Sequence, residues 1–339
     1  MWRLSNAILR ERSNPKAAAS TVAFTSTKRF QHAIAVQLDY YMSPQFAGVA
    51  SALVNNTYAS MGLTDITFLP ICPVGLEMER VRIHQNSNPT SLSLGTVEQN
   101  IFVPTLKGNP QLKTTAIAAM FAKSPLCIAS LPTSNASENE FTPNIIGTHQ
   151  DTLDIMRRIF PNHDVVASPR STKTRDLING EVGAIQAYTT TEVPTLRMTL
   201  GSEPVVVEIE GYNGAKLGYS QVIFAADECL QDDRKEIANA FCEATFQGWA
   251  NVIDNPNDAV ALVKEAKKML ALDDEDNDHW IDSDDFELEM VKRCSEYVKG
   301  TFAGGKYGVI DQHRWREANA WLLNDDSNAE LGFDDSVWK

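Results

Sequence analysis

The chain has 339 residues, 43% hydrophobic and 22% charged, with a formal net charge of −14. That length suits two cores of roughly 100–200 residues each better than one. The acidic balance argues against nucleic acid or an anionic membrane as partner, because no broad positive field exists to release counterions, and leaves a small-molecule ligand open.

The charge is unevenly placed. Arg3, Arg10, Arg12, Lys16, Lys28 and Arg29 stand against Glu11 alone in residues 1–30, a net of +5 that leaves −19 for the remainder. This Arg-, Ser- and Ala-rich stretch, with Trp2, Leu4, Ile8 and Leu9 spaced along one helix face, predicts a transit peptide or a disordered basic tail. A mitochondrial address is the expectation, with a plastid as the alternative. Nothing approaches the ~20 apolar residues that span a bilayer, so no membrane insertion is expected. Five scattered cysteines, without a C-x-x-C pair, read as reduced and mostly buried thiols.

From residue 32 short apolar strands alternate with helical stretches. "HAIAVQLDY" sets Ile34, Val36 and Leu38 at period two, and "SPQFAGVASALVNNTYASMG" follows with helical spacing. "LTDITFLPI", "SLSLGTVE", "TTAIAAMFA" and "PLCIASLP" read as further strands, with a short helix in "GLEMERVRIHQN". This rhythm predicts a parallel sheet with helical crossovers. The polar stretch 133–144 divides this unit from a second, smaller one built from "IIGT", "QDTLDIMRRIFP", "HDVVAS", "TKTRDLINGEV", "AIQAYT" and "EPVVVEIE". "YNGAKLGY" then returns the chain to the first sheet through "SQVIFAA", its two glycines taking the bend. The rest is helical: residues 232–256 open with a capping-box pattern, Asp233 and Glu236, and stop at Asn255-Pro256.

In open parallel sheets the ligand crevice lies beyond the carboxyl ends of the strands. Four strand-to-helix corners fit: "LDYYMSPQFAG", "GTVEQN", "GTHQD" and "AYTTTE". In that order, and together with "YASMGL", "KSPLCIAS", "GEVGAIQAYTTTE", "FQGWANVIDNPNDAV" and "GVIDQHRWREANAWLL", they resemble the solute-binding family that groups bacterial sulfonate and thiamine-pyrimidine binders with the fungal thiamine-pyrimidine synthase. The resemblance runs from about residue 32 to the end. It implies an α/β, two-lobed periplasmic-binding-protein-like (type II) fold with a central ligand cleft, closing by hinge motion, and C-terminal helices. Lobe 1 would take 31–133 and 218–339, and lobe 2 would take 142–212. The synthase's substrate histidine has Phe46 in its place, and its cysteine-rich motif has no counterpart, so chemistry of that kind is not expected and no cofactor is called for.

Asp39 and Glu192 each follow an apolar strand, and paired carboxylates facing a closed cleft suit the amine hydrogens of an aminopyrimidine or a small cation. Both also suit plain helix starts. Tyr40, Tyr41, Phe46 and Tyr188 are candidates to stack on a flat ring, with Thr96, Glu98, His149, Gln150, Gln186 and Thr190 completing the polar lining. These corners hold no Arg or Lys, which speaks against an anionic ligand unless Arg170 and Lys173 reach the site. The acidic run 273–285 sets Asp274, Asp276, Asp278 and Asp285 in a calcium-loop register, but His279 replaces the turn glycine and Asp285 the bidentate Glu, so a solvated linker is the simpler reading. The favoured function is binding of a thiamine-pyrimidine-like heterocycle. An enzyme of thiamine-pyrimidine precursor synthesis and a calcium-responsive interaction protein are the alternatives. Transporter partner and oligomeric state are not legible.

Overall fold

The structure is a computed structural model that describes residues 33–132, 143–270 and 283–338. The basic segment 1–30, most of the polar stretch 133–144, and Asp274, Asp276 and Asp278 lie outside the described residues.

β1 (Ile34–Gln37), β2 (Ile66–Phe68) and β3 (Leu92–Val97) run parallel, with Ile34 opposite both Ile66 and Leu92. β1 and β3 are buried throughout, as expected of strands covered by helices on both faces. β4 (Thr114–Phe121) and β10 (Ser220–Ala226) complete the sheet in the order β2-β1-β3-β10-β4. The expectation of a purely parallel sheet is corrected here, because β10 lies antiparallel between β3 and β4. It returns from the second lobe, so no helical crossover sets its direction.

The second sheet is ordered β7-β6-β8-β5-β9, formed by β5 (Leu126–Ser130), β6 (Ile145–Thr148), β7 (Asp164–Ala167), β8 (Ala184–Tyr188) and β9 (Val205–Glu208). β5 therefore belongs to the second sheet, where it pairs antiparallel with β8 and β9. The boundary expected at residue 133 falls too late, since the chain crosses between sheets in the four residues after β4. It crosses back after β9, where Gly214 and Gly218 adopt left-handed φ of +74° and +81°.

Helices α1 (Ala47–Val54), α2 (Thr57–Ser60), α3 (Glu77–Ser87) and α4 (Gln99–Gly108) accompany the first sheet. α5 (Leu153–Ile159), α6 (Lys173–Ile178) and α7 (Glu192–Leu200) accompany the second. α8 (Arg234–Asp254), α9 (Pro256–Leu270), α10 (Asp284–Lys299) and α11 (Gln312–Leu323) form the C-terminal set. α8 stops at Asn255, and Pro256 opens α9, the first-turn position that tolerates a missing N–H. The capping box read at Asp233 does not form: its backbone is already helical and its side chain makes no capping bond. Asp285 sits in the first turn of α10.

One large apolar cluster spans the first sheet, its helices and one face of the second sheet, where Ile128 and Ile146 join it. Cys127, Ala129, Ile185 and Ala187 pack on the other face, the period-two alternation that a strand dictates. All five cysteines are free and buried, as their spacing suggested. Among the described residues no helix is long and apolar enough to cross a membrane.

Candidate ligand-binding site

The strand tips of the two sheets border one cavity of about 480 Å³, within the range of small-ligand sites. Tyr40, after β1, and Glu192, after β8, both line it, so the corners read from the sequence meet across a common space.

The first lobe contributes a wall of carboxyl groups. Asp39 accepts at Oδ1 from the Thr96 hydroxyl (2.6 Å) and at Oδ2 from the Gln221 amide (3.2 Å). Burial raises its pKa to about 6 despite both bonds. Glu98, 4% exposed, accepts from the Ser220 hydroxyl at 3.1 Å and, across the cleft, from the Tyr188 hydroxyl at 3.5 Å. Burial, then the Asp39 charge, lifts it to about 7. Glu77, the first residue of α3, is fully buried, and the same two causes lift it to about 8. Its Oε2 accepts from Gly75 N–H at 2.8 Å, while its Oε1 has no partner. Among the described residues none of these three carboxyls has an ion pair.

The second lobe's charges are mutually satisfied. Lys173 Nζ, nearly buried, pairs with Glu192 Oε1 at 2.5 Å and lies 2.9 Å from His149 Nε2. Glu192 Oε2 accepts from Tyr188 N–H at 3.0 Å and from the Thr191 hydroxyl. Burial raises the Glu192 pKa, but Lys173 and these bonds outweigh it and hold the group below the ordinary carboxylate value. His149 is kept neutral by burial and by the charges of Lys173 and Arg170. Arg170 lines the cavity and is held by both oxygens of Asp151 at 3.1 and 3.0 Å.

Of the residues read from the sequence, Asp39, Tyr40, Glu98, His149, Tyr188 and Glu192 line the cavity. Thr96 and Gln186 stand behind it. Thr96 fixes Asp39, while Gln186 accepts from His149 N–H at 3.1 Å and from the Thr148 and Thr152 hydroxyls. Three placements need correction. Phe46 closes the 3-10 turn Pro44–Phe46 and is wholly buried in the core, while its neighbour Gln45 takes the cavity position. Gln150 is exposed in the turn after β6, outside the lining, and Thr190 is buried away from it. Tyr41, also read as a stacking candidate, lines the cavity, whereas the reading missed Glu77, Gln221 and Thr195, which line it too. Arg170 and Lys173 do reach the site, though each already holds an acidic partner. Among the described residues no cluster of His, Cys, Asp and Glu is arranged to hold a metal ion.

A family model described as NMT1/THI5 like matches residues 162–259. That segment carries Arg170, Tyr188, Glu192 and Gln221, so the NMT1/THI5-like match includes much of the second-lobe wall and the strand that returns to the first. No curated protein matches the chain by sequence. Among solved structures, the periplasmic aliphatic sulphonate binding protein SsuA of Escherichia coli is 9% identical, with TM-score 0.56, covering 90% of this chain and 96% of its own. The periplasmic nitrate-binding protein NrtA of Synechocystis PCC 6803 is 10% identical, with TM-score 0.55, over 91% and 87%. A ligand-binding component of an ABC-type import system from Staphylococcus aureus is 11% identical, with TM-score 0.55, over 91% and 98%. At these identities the likeness is one of fold, and it agrees with the two-lobed, periplasmic-binding-protein-like (type II) architecture.

Proposed function

We propose that this protein is a solute-binding protein whose cleft takes a small, flat, nitrogen-bearing heterocycle of the thiamine-pyrimidine kind. The observation that carries this reading is the set of carboxyls that line the cavity, half-buried Asp39 and buried Glu77 and Glu98, none of which has an ion pair among the described residues. Sulfonate or nitrate in that position would meet three acceptors of like sign, and the two nearby cations are already paired with Asp151 and Glu192. An aminopyrimidine instead offers N–H donors on its edge and an aromatic face to Tyr40, Tyr41 and Tyr188. The enzymatic alternative gains nothing from His149, which is neutral and already contacted by Lys173 at Nε2.

Calorimetric titration of the purified chain with the aminopyrimidine alcohol of thiamine, with an alkanesulfonate and with nitrate tests the proposal. Pyrimidine binding alone is the expected outcome, and it should weaken on Asp39→Asn. Binding of either anion in preference to the pyrimidine overturns it. The mitochondrial address proposed for residues 1–30 is a separate matter, tested by whether that segment carries a fluorescent protein into the organelle.

A further inference from the structure

The ligand class can be narrowed from the acceptors that the folded chain leaves unused. Glu77 and Gln221 line the cavity, are 0% and 5% exposed, and each keeps one buried side-chain oxygen, Oε1, without a hydrogen-bond partner. A buried acceptor without a partner carries the full desolvation cost of that group, so a native chain keeps one where something else satisfies it. The amide orientation of Gln221 follows from its neighbour: Asp39 Oδ2 accepts, so Nε2 faces it and Oε1 is left free. β10 presents this side chain through a left-handed φ of +52° at Gln221, inside a strand whose other residues are buried. Asp39, bonded to Gln221, and Glu98 line the same cavity, again without an ion pair among the described residues.

Four oxygen-bearing side chains from β10, α3 and the tips of β1 and β3 thus converge with no positive charge among them. We infer that the cleft selects a ligand presenting a cationic N–C–N edge, an amidinium or a protonated aminopyrimidine, with its N–H groups directed to Glu77 and Gln221 and its charge to Asp39 and Glu98. This rests on the heterocycle reading above and adds the sign of the charge and the edge that is recognised. A planar amidinium supplies donors in a fixed fork, the geometry that carboxylates and amide oxygens accept in pairs. The tyrosines at the rim add favourable ring faces to a cation.

Benzamidine and benzamide separate charge from shape, since both are flat and nearly equal in size. Titrated into the full chain at about pH 8, where the benzamidine probe is fully protonated, benzamidine is expected to bind at least about tenfold more tightly than benzamide. Asp39→Asn combined with Glu98→Gln should erase most of that preference while leaving benzamide unchanged. Equal affinity for the two, or binding of neither, overturns the inference. If neither binds but the pyrimidine alcohol does, the cationic edge is wrong and the heterocycle reading stands. If benzamidine binds and the pyrimidine does not, the outcome is the reverse.

Discussion

Glu98→Gln is a perturbation whose sign can be worked out before the experiment. In the folded chain the Glu98 carboxyl titrates at about 7, against 4.5 for the free side chain, because burial and the Asp39 charge both oppose its ionisation. A carboxyl whose folded-state pKa is raised contributes stability that is fully present below the unfolded value and is lost as pH rises through the folded one. The window therefore runs from about 4.5 to about 7. The gap corresponds to ~3 kcal/mol lost by the empty wild-type chain once the group ionises. Glutamine keeps the shape, and its carbonyl accepts from Ser220 as the carboxylate does. It removes the charge at every pH. The variant should match the wild type at about pH 5 and exceed it at about pH 8.5 by up to ~3 kcal/mol, a rise of about 4 °C for a chain of this length. Thermal unfolding followed by circular dichroism at the two pH values reads the difference. Asp39 and Glu77, raised to about 6 and about 8, titrate with Glu98 as a coupled set, so the wild-type loss should spread over the whole interval. An equal offset between variant and wild type at both pH values, or a less stable variant at the higher one, would refute the reasoning.

Lys173→Met leaves the Glu192 carboxylate in a half-buried site without its ion pair, and about 3–5 kcal/mol should be lost in denaturant unfolding at neutral pH. Because Glu192 is held below its ordinary value, the stability tied to its ionised form is present above about 4.5 and lost as pH falls, so the variant's deficit should shrink in acid. Gly248→Ala would set a Cβ 2.0 Å from the Gly48 carbonyl oxygen, where α8 crosses α1. Since backbone cannot yield cheaply, a loss of roughly 3 kcal/mol or more is expected, read from the midpoint of a urea curve. Arg197 pairs with Glu289 of α10, and Arg293 of α10 donates to the Thr189 carbonyl at 3.2 Å, tying the second lobe to the C-terminal helices. Replacing both arginines with alanine should enlarge the ligand-free radius of gyration in X-ray scattering, and an unchanged radius would mean that these contacts do not hold the cleft shut.

The parts legible in the sequence were those fixed by local pattern. Alternation located β1, β3 and β8, and "GEVGAIQAYTTTE" ended where expected, with Tyr188 at a strand tip and Glu192 opening α7. Missed features depend on contacts far apart in the chain. Glu77 reads as one more acid on a polar helix, and its burial arises only because the start of α3 borders the cavity. Gln221 sits in an apolar run that gives no hint of a left-handed residue. Phe46 failed by one position, because the 3-10 turn puts Gln45 in the lining and Phe46 in the core. The misplaced lobe boundary has a similar cause: the short crossing after β4 is less polar than 133–144, and only the pairing of β5 reveals it.

The carboxyl wall also changes the electrostatics that helix N-termini lend to a cleft. Helix N-termini carry partial positive charge and unpaired N–H groups, so a cleft ringed by them favours anions unless the chain supplies its own. Here it does so at three helices. Glu77 is the first residue of α3, Glu98 immediately precedes α4, and Glu192 is the first residue of α7. Each carboxyl occupies the end of the dipole that a bound anion would use, and each borders the cavity. Burial nevertheless outweighs that stabilisation at Glu77 and Glu98, whose pKa values remain high. Lys173 tips the balance only at Glu192. The first lobe therefore holds carboxyls that lack a counterion of their own and resist ionising, and the cationic edge inferred above would favour their charged forms.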